Sequence, residues 1–259
     1  MKDLKTAIIQ ADLTWEDPQQ NRRYFSEKLD AISDQVDLII LPEMFSTGFT
    51  MNPYEVAESM DGETILWMTK LAKEKDSAIT GSLIIKENEL YYNRLVFVYP
   101  SGEIEWYDKR HTFTLAGEHN VYTAGTEKLI IEYKGWKICP LICYDLRFPV
   151  WARNVEEYDL VLFVANWPKP RIAAWDALLK ARAIENMSYC IGVNRVGFDA
   201  NKYEYVGHSA VYNGLGENIS GNTTSAETTI IVPLIAKHLE QIRQKLQFLN
   251  DMDSFKIDS

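Results

Sequence analysis

Ile138-Cys139-Pro140-Leu141-Ile142-Cys143-Tyr144-Asp145-Leu146-Arg147-Phe148-Pro149 reads as an apolar strand that stops abruptly at a thiol and passes into a polar helix start. A cysteine at such a bend is exposed at the strand end, and the next backbone N–H points toward whatever the sulfur attacks. Two other strand-like runs end in a reactive residue. Leu38-Ile39-Ile40-Leu41-Pro42-Glu43 stops at a carboxylate, and Ile104-Glu105-Trp106-Tyr107-Asp108-Lys109 stops at a cation. A nucleophile, a base and a cation at three strand ends predict one site.

Working outward, strand-like and helix-like segments alternate. A first strand is expected at Thr6–Gln10, a polar-faced helix from about Pro18 to Ile32, and a buried strand over Val36–Leu41. A helix follows over Glu63–Lys75, with Ile65, Leu66, Met68, Leu71 and Ala72 as its apolar stripe. The middle is β-rich: Ala78–Lys86, Leu90–Tyr99, Glu103–Tyr107, then Leu129–Tyr133 and Trp136–Ile142 about a tight Lys134-Gly135 turn. Helices are expected near Val150–Glu157 and over Ile172–Met187. Strands are expected at Leu160–Ala165, Tyr189–Val193, Gly207–Tyr212 and Thr228–Val232. Ile235, Leu239, Ile242, Leu246 and Leu249 form one stripe of a terminal helix over about 233–249, before a polar, mobile tail at 251–259. No linker or repeat divides the chain. The expected architecture is α/β, with residues 1–259 as one domain of two mixed sheets packed face to face and helices outside.

The 259 residues are 46% hydrophobic and 12% aromatic, ample for a core in a domain that buries roughly 70–75% of its unfolded surface. A net charge of −10 argues against a general nucleic-acid binder. No apolar run approaches a membrane span and no signal-peptide core is seen, so a cytoplasmic protein is expected. Asn186, Asn218 and Asn222 match the glycosylation pattern, by chance in that compartment. Three cysteines do not make a disulfide framework, and Cys139 with Cys143 is not a CxxC pair, so no zinc site is expected.

Each candidate has a plainer reading. Cys190, inside an apolar strand, is a small buried hydrophobe. Glu43 follows Pro42 and precedes the aromatic, glycine-containing Met44-Phe45-Ser46-Thr47-Gly48-Phe49 loop, which desolvates its carboxylate toward useful base strength; read alone it equally fits a surface glutamate. Lys109 fits a solvated charge cluster. His111, His119 and His208 leave a Cys–His mechanism open.

Taken in order, Leu41-Pro42-Glu43, then Asp108-Lys109-Arg110-His111 continuing to Ala116-Gly117-Glu118, then Leu141-Ile142-Cys143-Tyr144-Asp145-Leu146-Arg147-Phe148-Pro149, the chain resembles the nitrilase (carbon–nitrogen hydrolase) superfamily, from about residue 4 to 235. Leu41–Phe49, Ala165-Asn166-Trp167-Pro168, Ala181–Asn186 and Gly192–Gly197 look most like its bacterial omega-amidase (YafV-type) branch. Thr112-Phe113-Thr114-Leu115 departs from that branch, which more often has Leu-Phe-Arg-Met there.

The resemblance implies a four-layer α-β-β-α sandwich, with Cys143 as nucleophile, Glu43 as general base and acid, and Lys109 as electrostatic stabiliser. It also implies Glu118 as a second, orienting glutamate and the Tyr144 N–H in the oxyanion hole. It implies a small ω-amide of a 2-oxo acid as substrate (2-oxoglutaramate or 2-oxosuccinamate), water as co-substrate, and no metal or organic cofactor. Phe113 and Trp167 are candidate pocket walls. Arg171 is the leading cation for a substrate carboxylate, with Arg147 and Arg195 as alternatives, each of which equally fits a structural ion pair. Relatives that take N-carbamoyl amides, aliphatic amides or nitriles on the same triad, and a silent binding protein, stay open. A homo-oligomer, a dimer foremost, is expected to pair through the Ile172–Met187 helix, where Ala173, Ala174, Ala177, Ala181 and Ala183 allow close approach.

Overall fold

The computed structural model describes residues 1–257. The first sheet begins with β1 (Leu4–Gln10), which after α1 (Pro18–Asp30) pairs in parallel with β2 (Leu38–Ile40). Asp17 caps α1 through the Gln20 N–H, and Pro18 supplies its first turn. After α2 (Glu63–Lys75), β3 (Ala78–Glu87) lies parallel to β2. The chain then turns back through β4 (Leu90–Val98) and β5 (Ile104–Asp108).

The second sheet starts with the β6 (Ile131–Tyr133) and β7 (Trp136–Ile142) hairpin, turned by Lys134 and Gly135, both at positive φ. One turn of helix, α3 (Pro149–Ala152), leads to β8 (Leu160–Ala165). Then follow α4 (Ile172–Asn186), β9 (Tyr189–Asn194), a separate hairpin of β10 (Val196–Phe198) with β11 (Glu204–Val206), and β12 (Ala210–Tyr212). β13 (Thr228–Leu234) returns to the first sheet antiparallel to β1, and α5 (Ala236–Leu246) follows. The strand orders are β13-β1-β2-β3-β4-β5 and β12-β9-β8-β7-β6.

The layers follow from the two faces of each strand. In β1, Ala7 and Ile9 face α1 and α2, where they pack with Phe25, Leu29, Ile65 and Met68. Leu4 and Ile8 face the other way and join Leu38, Phe97 and Ile138 in the core between the sheets. Trp175, Leu179 and Ala183 of α4 cover the second sheet from outside. The result is the expected α-β-β-α order, and it puts the C-terminal ends of β2, β7 and β8 at one edge.

Several boundaries differ from expectation, each for a local reason. The helix at Val150–Glu157 is only the turn Pro149–Ala152. The Asn154 side chain closes a loop on Tyr158, accepting from its N–H at 2.7 Å and donating to its carbonyl at 2.9 Å, in competition with helix. The strand expected from Gly207 starts at Ala210, because Gly207 and His208 sit at φ 68° and 58°. The β10–β11 hairpin was not anticipated. The terminal helix starts at Ala236 rather than 233, since Leu234 still pairs with Leu4, and ends where Gln247 turns left-handed. Ile235 is consequently exposed, while Leu239 and Ile242 carry the docked stripe. Residues 252–257 carry no regular structure, and positions 258–259 of the expected tail lie outside the described residues. Among the described residues, no helix is long and apolar enough to cross a membrane.

Candidate active site

Both reactive strand ends break into the left-handed region. Met44, directly after Glu43, and Cys143, directly after β7, each have φ 42°. Such a conformation costs a non-glycine residue about 1–3 kcal/mol and persists only where neighbours over-determine it. Here the Met44 N–H donates to Ser82 Oγ at 2.8 Å. The Ile142 N–H donates to Asp145 Oδ2 at 3.0 Å, holding the 3-10 turn Cys143–Arg147 against the strand. Tyr144 lies in the first turn of that 3-10 segment, where backbone N–H groups have no intrahelical acceptor.

Lys109 follows β5, its N–H bonded to the Asn93 carbonyl of β4 at 3.0 Å. Its Nζ is buried and sits 2.9 Å from Glu43 Oε1 and 2.9 Å from Glu118 Oε2. Asn93 Nδ2 donates to Glu43 Oε1 at 2.8 Å and to Glu118 Oε1 at 3.2 Å. The Asn166 N–H, at the end of β8, donates to Glu43 Oε2 at 2.8 Å, and the Phe113 N–H donates to Glu118 Oε2. Both carboxylates and the ammonium are at most 1% exposed.

These neighbours set the proton affinities. Burial pulls Lys109 toward neutrality, but Glu118 and then Glu43 outweigh it, so its pKa lies above the ordinary ammonium value. Burial raises Glu118 above the usual carboxylate value, and the Lys109 charge offsets this only in part. The Cys143 thiol is held well above its ordinary range by burial first and by the adjacent Glu43 carboxylate second, with Lys109 opposing. The sulfur therefore rests as a thiol and needs a base, and Glu43 is beside it.

Cys143 opens into a cavity of about 820 Å³ whose wall includes Phe113, Tyr144, Arg147, Asn166, Trp167 and Arg171. The structure brings together Glu43, Lys109 and Glu118 behind the thiol, and Tyr144, Phe113, Trp167 and Arg171 around the cavity. The Arg171 guanidinium lies over the Phe113 ring and that of Arg147 over the Trp167 ring, and among the described residues neither is within 4.0 Å of a carboxylate oxygen. Arg147 thus makes no structural ion pair among the described residues. Arg195 does: it is buried, bonds Asp12 at 2.7 Å, and does not line the cavity.

None of the histidines lines the cavity. His111 is taken up by Asp145 and stacks on Phe148, and His208 is bound to Asp176, so neither offers Cys143 a base. Cys139 and Cys190 are buried in the core. Among the described residues, no group of three or more His, Cys, Asp and Glu side chains is arranged to hold a metal ion. Sequence reading missed Asn93 and the role of the Asn166 backbone; the signal for Asn93 was an uncharged polar residue just before the apolar stretch Leu95-Val96-Phe97-Val98.

The carbon-nitrogen hydrolase family profile matches residues 5–244. Omega-amidase YafV of Escherichia coli (strain K12) is 43% identical over 257 residues, spanning 99% of this chain and 100% of the relative. The 2-oxoglutaramate amidase of Bacillus subtilis (strain 168) is 33% identical over 81% of this chain and 83% of its own length. The crystal structure of a CN-hydrolase superfamily protein from Xanthomonas campestris, which carries an arsenic adduct in its active site, superposes with TM-score 0.97 over 100% of both chains at 42% identity.

Proposed function

The chain belongs to the carbon–nitrogen hydrolase family, and from that premise we propose that it is a cofactor-free cysteine amidohydrolase that releases ammonia from a short ω-amide of a 2-oxo acid, 2-oxoglutaramate foremost. The observation that carries this reading is the buried Glu43–Lys109–Glu118 cluster directly behind the Cys143 thiol, beside a cavity that presents two arginines with no carboxylate partner among the described residues.

Cys143 Sγ attacks the amide carbonyl as Glu43 takes the thiol proton. The oxyanion forms between the Lys109 ammonium and the Tyr144 N–H, where one donor is worth about 3–4 kcal/mol of barrier. Protonated Glu43 passes its proton to the departing nitrogen, so ammonia leaves and a thioester remains. Glu43 then removes a proton from water as the water attacks the thioester. The acid leaves, and the proton returns to sulfur. Glu118 holds Lys109 in place, with both oxygens on the ammonium. Arg147 and Arg171 hold the carboxylate at the far end of the substrate, flattened against Trp167 and Phe113.

The chain further fits a cytoplasmic homodimer. Three unpaired cysteines suit a reducing compartment, and Ala173, Ala177 and Ile184 leave one face of α4 exposed for a partner.

The test is ammonia release from 2-oxoglutaramate, 2-oxosuccinamate, glutamine, an N-carbamoyl amine and an aliphatic nitrile. Turnover confined to the 2-oxo amides supports the reading. Turnover of another compound moves the substrate class while keeping the triad, and no turnover with any of them supports a silent binding protein.

A further inference from the structure

We infer that Asn93 is a positioning residue of this reaction, fixing the acid–base carboxylate, the second glutamate and the lysine of the site through three separate hydrogen bonds. The inference rests on the amidase reading above.

Asn93 sits within β4, opposite Ile84 of β3, and is 1% exposed. Its carbonyl accepts from the Lys109 N–H at 3.0 Å, which sets where the chain leaves β5 and the lysine side chain begins. Its Nδ2 is the only side-chain group besides Lys109 Nζ to donate to both Glu43 and Glu118 among the described residues. The amide has one workable orientation, since turning it over would aim Oδ1 at two carboxylates. As placed, Oδ1 is buried with no partner among the described residues. An orphaned acceptor is unfavourable, and an apolar side chain of the same shape would remove it. Packing therefore gives no reason for an asparagine here; the two donated hydrogen bonds do.

The role follows from what Lys109 cannot do alone. Its ammonium must face both carboxylates and also the oxyanion, so it cannot by itself fix the rotation of Glu43. Asn93 Nδ2 on Oε1 and the Asn166 N–H on Oε2 hold that carboxylate at both oxygens. With Asn93 removed, Glu43 keeps its charge partner and loses its angle to the Cys143 thiol. Substrate contacts along the cavity wall are untouched, since Asn93 does not line it.

The experiment is Asn93→Leu, which matches the shape and supplies no donor. We expect kcat for 2-oxoglutaramate to fall about 100-fold, as for loss of near-attack geometry, with KM within about twofold. The thermal midpoint falls by only a few degrees, because removing the orphaned oxygen offsets part of the loss of the two donated hydrogen bonds. Unchanged kcat, or a KM that rises in step with a falling midpoint, overturns the inference. If the leucine variant does not fold, Asn93→Ser gives the same readouts with a smaller polar side chain. If the parent protein hydrolyses no amide, the amidase reading fails independently. The inference is then decided by the rate at which iodoacetamide alkylates Cys143 at neutral pH: slower alkylation in the variant supports a carboxylate held against the thiol, and an equal rate overturns it.

Discussion

Replacing Lys109 with methionine tests the electrostatic frame of the site apart from its chemistry. In the folded protein two carboxylates and one ammonium are buried together, each at most 1% exposed. The methionine keeps the aliphatic bulk but leaves Glu43 and Glu118 facing each other, with Asn93 as their one shared donor. Removing one partner of a buried ion pair costs about 3–5 kcal/mol. With about 2.1 cal/mol/K of unfolding entropy per residue over the 259-residue chain, this is a fall of about 6–9 °C in thermal midpoint. Calorimetric melting at neutral pH reads it. A second change, Glu118→Gln, removes the excess charge, so the double variant should recover at least half of the loss while staying inactive. The pH dependence has a definite sign. Glu118 already sits above its ordinary 4.5 in the folded state, so its protonated form favours folding. That contribution is complete below 4.5 and is lost as pH rises through the raised folded value. Without Lys109 this effect grows, and the gap to the parent protein narrows on acidification. A Lys109→Met variant as stable as the parent, or a gap that does not change with pH, would refute the reasoning.

Arg147→Leu and Arg171→Leu should each raise KM for 2-oxoglutaramate by about 10- to 100-fold, the loss of one charge-assisted hydrogen bond, while leaving KM for an uncharged aliphatic amide unchanged; steady-state kinetics on both substrates checks this. The thiols give a pH signature of their own. Cys139 is pushed up by burial to about 12 and Cys143 lies well above its ordinary value. Because the unfolded chain releases these protons first, stability should fall as pH climbs above about 9, by up to about 1.4 kcal/mol per pH unit for each thiol, as read by denaturant melts. Stability that is flat between pH 9 and 11 would contradict the assignment.

The three proposed reactive residues could be picked out because each ends a strand-like run, so the sequence marks both the strand and its exit. What the sequence hides is side-chain reach across strands. Asn93 looks like an interruption in β4 until β5 and the Glu118 turn are folded against it. Arg147 follows Cys143 closely enough to suggest a structural pair, yet among the described residues its guanidinium meets the Trp167 ring and no carboxylate. The short α3 and the late start of β12 depend on an asparagine that closes a loop and on left-handed residues at Gly207 and His208, which residue periodicity does not report. The α2 helix is closer to the opposite case: its bounds agree with periodicity and Ile65, Met68, Leu71 and Ala72 are buried as expected, but Leu66 of the expected stripe is exposed and Thr64 is buried instead.

The central claim is that Cys143 carries the acyl group during hydrolysis. The direct measurement is acid quenching of the protein during turnover of 2-oxoglutaramate, peptide mass analysis, and ammonia release by Cys143→Ala alongside. The account predicts a mass increase equal to the substrate acyl group on the Cys143 peptide alone, and no ammonia from the alanine variant. Ammonia release by Cys143→Ala at a rate comparable to the parent would contradict it.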